Sequence, residues 1–252
     1  MGERLLEVSG VSLRFGGIQA LQDVSVGVGQ GETLAVIGPN GSGKTSLFNC
    51  ITGIYHPTGG AITLRGESLL GRSPDAVTAL GIARTFQNLR LFANMTVLDN
   101  LMVGRHRHFR RSFVAALLRR RDEEIRHRRR CEEIIEFLDL EPVRKSRVAD
   151  CAYGVQKRVE LGRALATEPR LLLLDEPVSG LTQEEKDEFA YWIHEIRGRF
   201  AITVLLVEHD LRVASRLASR MVALDHGVKV AEGTPSEVQR HPDVIKAYLG
   251  DS

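Results

Sequence analysis

Gly38-Pro39-Asn40-Gly41-Ser42-Gly43-Lys44-Thr45 follows the apolar run Leu34 to Ile37 and leads into a helix-forming segment, Ser46 to Thr52. This order of strand, loop and helix is the setting that a phosphate-binding P-loop requires. The glycines let the backbone curl with its N–H groups pointing inward, at the positive end of the helix that follows. Lys44 adds a point charge for the β- and γ-phosphates. Thr45 supplies a hydroxyl for Mg²⁺, with Ser46 as the alternative.

A chain of 252 residues at 43% hydrophobic content can bury a large core, most simply that of one α/β domain with a subdomain. A net charge of +2 does not by itself imply a polyanion partner. Cys50, Cys131 and Cys151 are too few and too scattered for a disulfide framework or a clustered metal site, which fits a reducing cytosol. The first ten residues mix Glu3, Arg4 and Glu7 with leucines and do not read as a signal peptide. The longest apolar segment, Ala201 to Val207, falls far short of the roughly 18 residues needed to span a bilayer.

Residues 5 to 28 alternate apolar and polar around Gly16-Gly17, which predicts antiparallel strands, and Ala61 to Leu64 continues that pattern. Ser73-Pro74-Asp75 opens a helix with Ser as cap and Pro at its first position. From about Thr96 to Leu140 the pattern is helical. The second half then alternates strand and helix: 170–174, 183–197, 201–207, 211–217 and 221–224. Thr182 with Glu185, and Thr234 with Glu237, have capping-box spacing. Such alternation predicts a parallel, doubly wound sheet with the helical block inserted into it.

Leu171 to Leu174 is a continuous apolar strand that ends in Asp175-Glu176, two acids placed where ligands bind in such sheets. Asp175 would hold Mg²⁺, and Glu176 would polarise the water that attacks a γ-phosphate. Leu205 to Glu208 repeats the arrangement and puts His209 at the next strand end, where a γ-phosphate contact is needed. Gln87, after the run Ile82 to Phe86, is a neutral side chain able to bind Mg²⁺ and lead water.

In this order the elements resemble the ATP-binding subunit of an ATP-binding cassette (ABC) transporter, from Val11 to the last helix. The resemblance implies a single ABC ATPase domain over residues 1–252, an α/β P-loop NTPase (RecA-like) with a mixed sheet. It also implies an antiparallel β subdomain and an inserted α-helical subdomain at about residues 88–158. Phe15 stands where the family stacks an aromatic on adenine. Arg14-Phe15-Gly16-Gly17, Arg84-Thr85-Phe86-Gln87, Met95 to Leu101 and the ending Asp243 to Gly250 look like the branched-chain amino acid uptake branch. The signature region departs from Leu-Ser-Gly-Gly-Gln: Cys151-Ala152-Tyr153-Gly154-Val155 keeps only Gly154. In the family this segment clasps the γ-phosphate held by the opposite subunit. Ala152 lacks the serine hydroxyl, while the Gly154 N–H at a helix start remains.

The resemblance further implies ATP and Mg²⁺ as cofactors and two membrane-spanning permease subunits as partners. A second ABC ATPase, identical or sister, would complete the dimer, and an extracytoplasmic solute-binding protein would take part indirectly. The place would be cytoplasmic, peripheral on the inner face of the cell membrane. Other cargoes stay open: lipid or lipopolysaccharide export, and urea or amide uptake. A soluble ABC ATPase acting on DNA or ribosomes usually carries a long coiled coil before the signature or two cassettes in tandem, and this sequence shows neither. Arg105 to Arg130 holds eleven arginines against Asp122, Glu123 and Glu124. It reads first as a solvated helical insertion, second as a contact for anionic lipid or a membrane partner. Nucleic acid comes third, since stacking aromatics are sparse and no nucleic-acid partner is expected.

Overall fold

The computed structural model describes residues 4–108 and 113–249, the side chains of Arg107 and of residues 113–121 excepted. The chain divides into two units, Met1–Ile82 with Arg170–Pro177 and Ile193–Ser252, and Ala83–Pro169 with Val178–Trp192. The second unit contains residues 88–158, where the helical block is expected, together with 83–87, 159–169 and 178–192.

In the first unit, β1 (Arg4–Phe15) and β2 (Ile18–Gly29) pair antiparallel across the Gly16-Gly17 turn. After β3 (Thr33–Ile37) and α1 (Lys44–Ile51), the chain adds β4 (Gly59–Leu64) to β1 and β5 (Glu67–Ser68) to β4. The result is a four-stranded sheet in the order β2-β1-β4-β5. α2 (Pro74–Ala79) follows with Ser73 Oγ accepting from the Ala76 N–H, as its Ser-Pro start predicts.

The second sheet has six strands. β6 (Ile82–Arg84), β7 (Leu171–Asp175), β8 (Thr203–Glu208), β9 (Arg220–Asp225) and β10 (Val228–Gly233) join β3 in the order β10-β9-β3-β8-β7-β6. β3 lies parallel between β8 and β9, β7 is parallel to β8, and β10 closes the edge antiparallel, so the sheet is mixed. Every residue of β3, β7 and β8 is buried, which explains why their sequences run apolar without alternation. Leu34, Val36, Leu173, Leu205 and Val207 share one core with Leu6, Val8 and Leu21 of the antiparallel sheet. The β subdomain and the nucleotide-side sheet therefore fold as one body.

The second unit carries α3 (Val97–Gly104), α4 (Phe113–Phe137) and α5 (Tyr153–Ala166). The helical stretch expected from Thr96 to Leu140 is interrupted, with α3 ending at Gly104 and a short 3₁₀ turn at His106–His108. Buried Leu98, Leu101, Ile134, Leu138, Val159 and Leu165 form its core. Arg105, read from sequence as part of a solvated face, is buried. Arg110 and Arg111 lie outside the described residues. α6 (Gln183–Phe200) is capped by the expected box: Glu185 N–H donates to Thr182 Oγ1 at 3.3 Å, and the Thr182 N–H donates to Glu185 Oε2 at 2.9 Å. The chain closes with α7 (Leu211–Leu217), α8 (Pro235–Arg240), which has the Thr234–Glu237 box, and α9 (Pro242–Leu249).

Candidate active site

The loop from Gly38 to Gly43 joins the buried end of β3 to α1. Two of its glycines are irreplaceable on geometric grounds. A Cβ on Gly38, at φ +151°, would lie 2.2 Å from the Leu224 carbonyl oxygen; one on Gly43, at φ +102°, would lie 2.8 Å from that of Ala20. The backbone is consequently pressed against the sheet and forms a concave turn. Gly43 is also the N-cap of α1, and no side chain caps that terminus and no acid occupies its first turn. The uncapped N–H groups and the helix dipole thus remain for an anion, which fits a polyphosphate.

Lys44 crosses this turn. Its Nζ donates to the carbonyl oxygens of Gly38 at 2.7 Å and Pro39 at 2.8 Å, with Ser42 Oγ at 3.5 Å. Burial pulls the ammonium below the usual lysine range, while the carboxylates of Glu176, Asp175 and Glu208 draw it back up. Ser42 is buried, Pro39 and Ser46 are half-buried, and Asn40, Gly41 and Thr45 are exposed.

The acids arrive by strand register. In the β3–β8 pair Ile37 faces Glu208, and in the β7–β8 pair Asp175 faces Val207. Asp175 is buried. Glu176 leaves the strand at φ +45°, its N–H donating to the Val207 carbonyl at 3.0 Å. That turn carries its carboxylate to 3.4 Å from His209 Nδ1; the carboxylate side chain is 13% exposed and the imidazole 51%. The first unit therefore brings Lys44, Asp175, Glu176 and His209 together at the carboxyl ends of β3, β7 and β8. Phe15, at the end of β1, is half exposed and meets Tyr55 edge to face at 5.0 Å.

Gln87 and Gly154 belong to the second unit. Gln87 is exposed, and its carbonyl accepts from Lys157 Nζ at 3.5 Å. Gly154 is buried at the start of α5, beside Glu185. One face of α5 grips the segment that carries Gln87: besides Lys157, Glu160 Oε1 accepts from the Arg90 N–H at 3.4 Å, and Arg163 Nη1 donates to the Arg90 carbonyl. Burial pushes the Glu160 carboxyl above its ordinary range, against the pull of Lys157, the Arg90 and Phe86 amides and Arg163.

The sequence reading gave no role to this three-step ladder, nor to Glu208 or Tyr248. Glu208 was legible as the acid ending β8, in parallel with Asp175. The ladder spacing of three residues was visible too, though nothing local said what it faced. Tyr248 on α9 carries no local signal: burial pushes its phenol up to about 12, beside the Gly38 amide and the carboxylates of Asp210 and Glu208.

A glycine turn that leads into an uncapped helix start and carries a lysine, beside acids and an imidazole on adjacent parallel strands, defines a P-loop nucleoside-triphosphatase. The chain belongs to the ABC transporter family: the model described as "ABC transporter" matches residues 21–179, and "Branched-chain amino acid ATP-binding cassette transporter" matches residues 228–252. It is the ATP-binding subunit of such a transporter, an ATP hydrolase coupled to transport. Among its relatives are the high-affinity branched-chain amino acid transport ATP-binding proteins BraF of Pseudomonas aeruginosa and LivG of Escherichia coli. The first is 40% identical over 255 residues and the second 38% over 257, each covering 100% of both chains. The ADP conformation of MJ1267, an ATP-binding cassette of an ABC transporter, superposes with a TM-score of 0.86 at 28% identity, covering 98% of this chain and 99% of that one. The dimeric structure of MJ0796, a bacterial ABC transporter cassette, gives 0.77 at 25% identity, covering 91% and 98%.

Proposed function

We propose that this subunit powers uptake of branched-chain amino acids through separate membrane-spanning subunits. The observation that carries the cargo is the C-terminal match at residues 228–252, together with relatives of that branch aligned over their whole length. A sulfate/thiosulfate import relative from Rhizobium meliloti is 34% identical, but this chain spans only 65% of it.

In the proposed mechanism Phe15 stacks on adenine, and the backbone N–H groups at the uncapped start of α1 hold the β- and γ-phosphates. Lys44 transfers its Nζ from the loop carbonyls to the phosphate oxygens. Thr45, or Ser46, with Asp175 would hold Mg²⁺, which when bound neutralises phosphate oxygens. Glu176 takes the proton of the attacking water, and His209 holds that carboxylate and contacts the γ-phosphate. The Gly154 amide faces the nucleotide of a second ATPase subunit, identical or sister. An extracytoplasmic solute-binding protein would deliver the cargo to the permease pair, and the subunit would sit on the inner face of the membrane. No helix among the described residues is long and apolar enough to cross a bilayer.

The test is co-purification of this chain with its membrane subunits, reconstitution in vesicles, and ATP-dependent uptake of leucine against sulfate and urea. Leucine transport that vanishes with Glu176→Gln is the expected result; transport of another cargo in place of leucine overturns the assignment.

A further inference from the structure

A basic cavity of about 470 Å³ opens in the helical unit, within the range of small-molecule sites. It is formed where the end of α3, the turn at His108, α4 and the end of α5 meet. Its floor is Arg105, a buried guanidinium fixed from three sides. Nη1 donates to the Ala166 carbonyl at 2.8 Å and lies 3.1 Å from Glu168 Oε1, while Nε donates to His127 Nδ1 at 3.2 Å. Because an arginine can only donate, that last bond fixes His127 as the neutral tautomer with its proton on Nε2. Burial, then the charge of Arg105, hold the imidazole below its usual pKa, against Glu123.

The charges lining this cavity do not cancel. Glu168 Oε1 serves two guanidiniums at once, Arg105 Nη1 and Arg130 Nε, each at 3.1 Å. Arg130 Nη1 also meets Glu133 Oε2 at 2.7 Å, and Glu123 faces His127 at 3.9 Å. Glu168 and Glu133 are therefore paired with guanidiniums, and the lining sets four arginines against three carboxylates. Arg126 and Arg129 also line the cavity, exposed and without an ion-pair partner among the described residues. Three residues apart on α4, they are neighbours of like charge on one helix face, an arrangement that costs stability unless an anion bridges it. Each presents a planar fork of donors, and a tetrahedral phosphate can accept from both at once.

We propose that this cavity binds the phosphate group of an anionic ligand, with Arg126 and Arg129 as its bidentate clamps over the anchored Arg105. α5 runs from the Glu168 end of this cavity to Gly154. Its 14 residues, Tyr153 to Ala166, span about 21 Å and end two residues before Glu168 of the cavity wall, at the carbonyl that Arg105 holds.

The probe is inorganic diphosphate, titrated calorimetrically into the full chain with the P-loop saturated by ADP. A parallel arm sediments the chain with vesicles of pure phosphatidylglycerol or pure phosphatidylcholine. Diphosphate is expected to bind at one site, with Arg126→Gln/Arg129→Gln weakening it about tenfold or more. Arg128→Gln, on the same helix but outside the cavity, should change affinity less than about twofold. ADP affinity should stay unchanged in both variants, which shows that they are folded. Phosphatidylglycerol sedimentation lost in the double variant but kept in Arg128→Gln, without diphosphate binding, keeps the phosphate site and assigns it to a lipid headgroup. The proposal is overturned if neither probe binds, if the double variant binds like the parent, or if Arg128→Gln weakens binding equally, since the last result reports a diffuse basic face.

Discussion

Replacing Glu176 by Gln removes a base without changing its shape, and the structure sets how large the effect must be. The carboxylate is almost enclosed, its backbone is tied to Val207 at 3.0 Å, and His209 stands 3.4 Å away, so its position is fixed before substrate arrives. General-base catalysis by a positioned group contributes about 10²- to 10⁴-fold, and a group this constrained belongs near the middle, about 10³-fold or about 4 kcal/mol of barrier. Binding moves the other way. Glu176 is the foremost of three carboxylates whose charge acts on Lys44, the residue proposed to meet the phosphates. Loss of one negative charge there should tighten ATP binding by about 1 kcal/mol, or about fivefold. The assay is steady-state phosphate release alongside equilibrium binding of a fluorescent ATP analogue, with Glu176→Asp as a variant that retains the base. A Glu176→Gln rate within about threefold of the parent would refute the assignment of the base. Weaker nucleotide binding would refute the placement of its charge toward the phosphates.

Lys44→Ala should weaken ATP binding by about ten- to a hundredfold, since charged hydrogen bonds to phosphate are lost; unchanged affinity in a filter assay would dismiss the P-loop reading. Gly154→Ala would put a Cβ 2.1 Å from Glu185 Oε1 and push that carboxylate off the Thr182 amide. A loss of about 1 kcal/mol in a urea melt is expected, with weaker ATP-driven pairing in the ultracentrifuge. Burial alone would raise the Glu32 carboxyl, but the Arg220 hydrogen bond, the Gly29 amide and the Arg220 charge hold it below its ordinary 4.5. Its stabilisation is therefore complete above that value and is lost as pH falls through the depressed one. Glu32→Gln should flatten that part of the stability profile by about 0.5–1 kcal/mol, read from urea midpoints across the acid range. Burial pushes Cys50 up to about 11 and Cys131 up to about 12, and raises the half-buried Cys151 less far. Brief alkylation at neutral pH should mark Cys151 alone by mass spectrometry; equal labelling of Cys131 would show that the α4–α5 core opens readily.

Whatever is written in short stretches of chain was legible before folding. The P-loop, the apolar strands ending in Asp175-Glu176 and Glu208-His209, and the caps at Ser73, Thr182 and Thr234 could be read directly, because each depends on neighbours within a few residues. Strand order, register and side-chain direction depend on residues far apart in the chain and are fixed only when those residues pack. Asp175 and Ile37 lie on either side of β8, which brings the acids to Lys44, and the left-handed turn at Glu176 aims its carboxylate at His209. The arginine-rich stretch separates the two kinds of knowledge most clearly. Composition alone gives Arg105, Arg126 and Arg129 equal standing as solvated charges. Packing buries Arg105 against acceptors from α4 and α5, more than twenty and sixty residues away, and leaves the other two in the open. A charge can be buried only where distant backbone and side-chain acceptors repay its lost hydration, and no local pattern records where those acceptors will be.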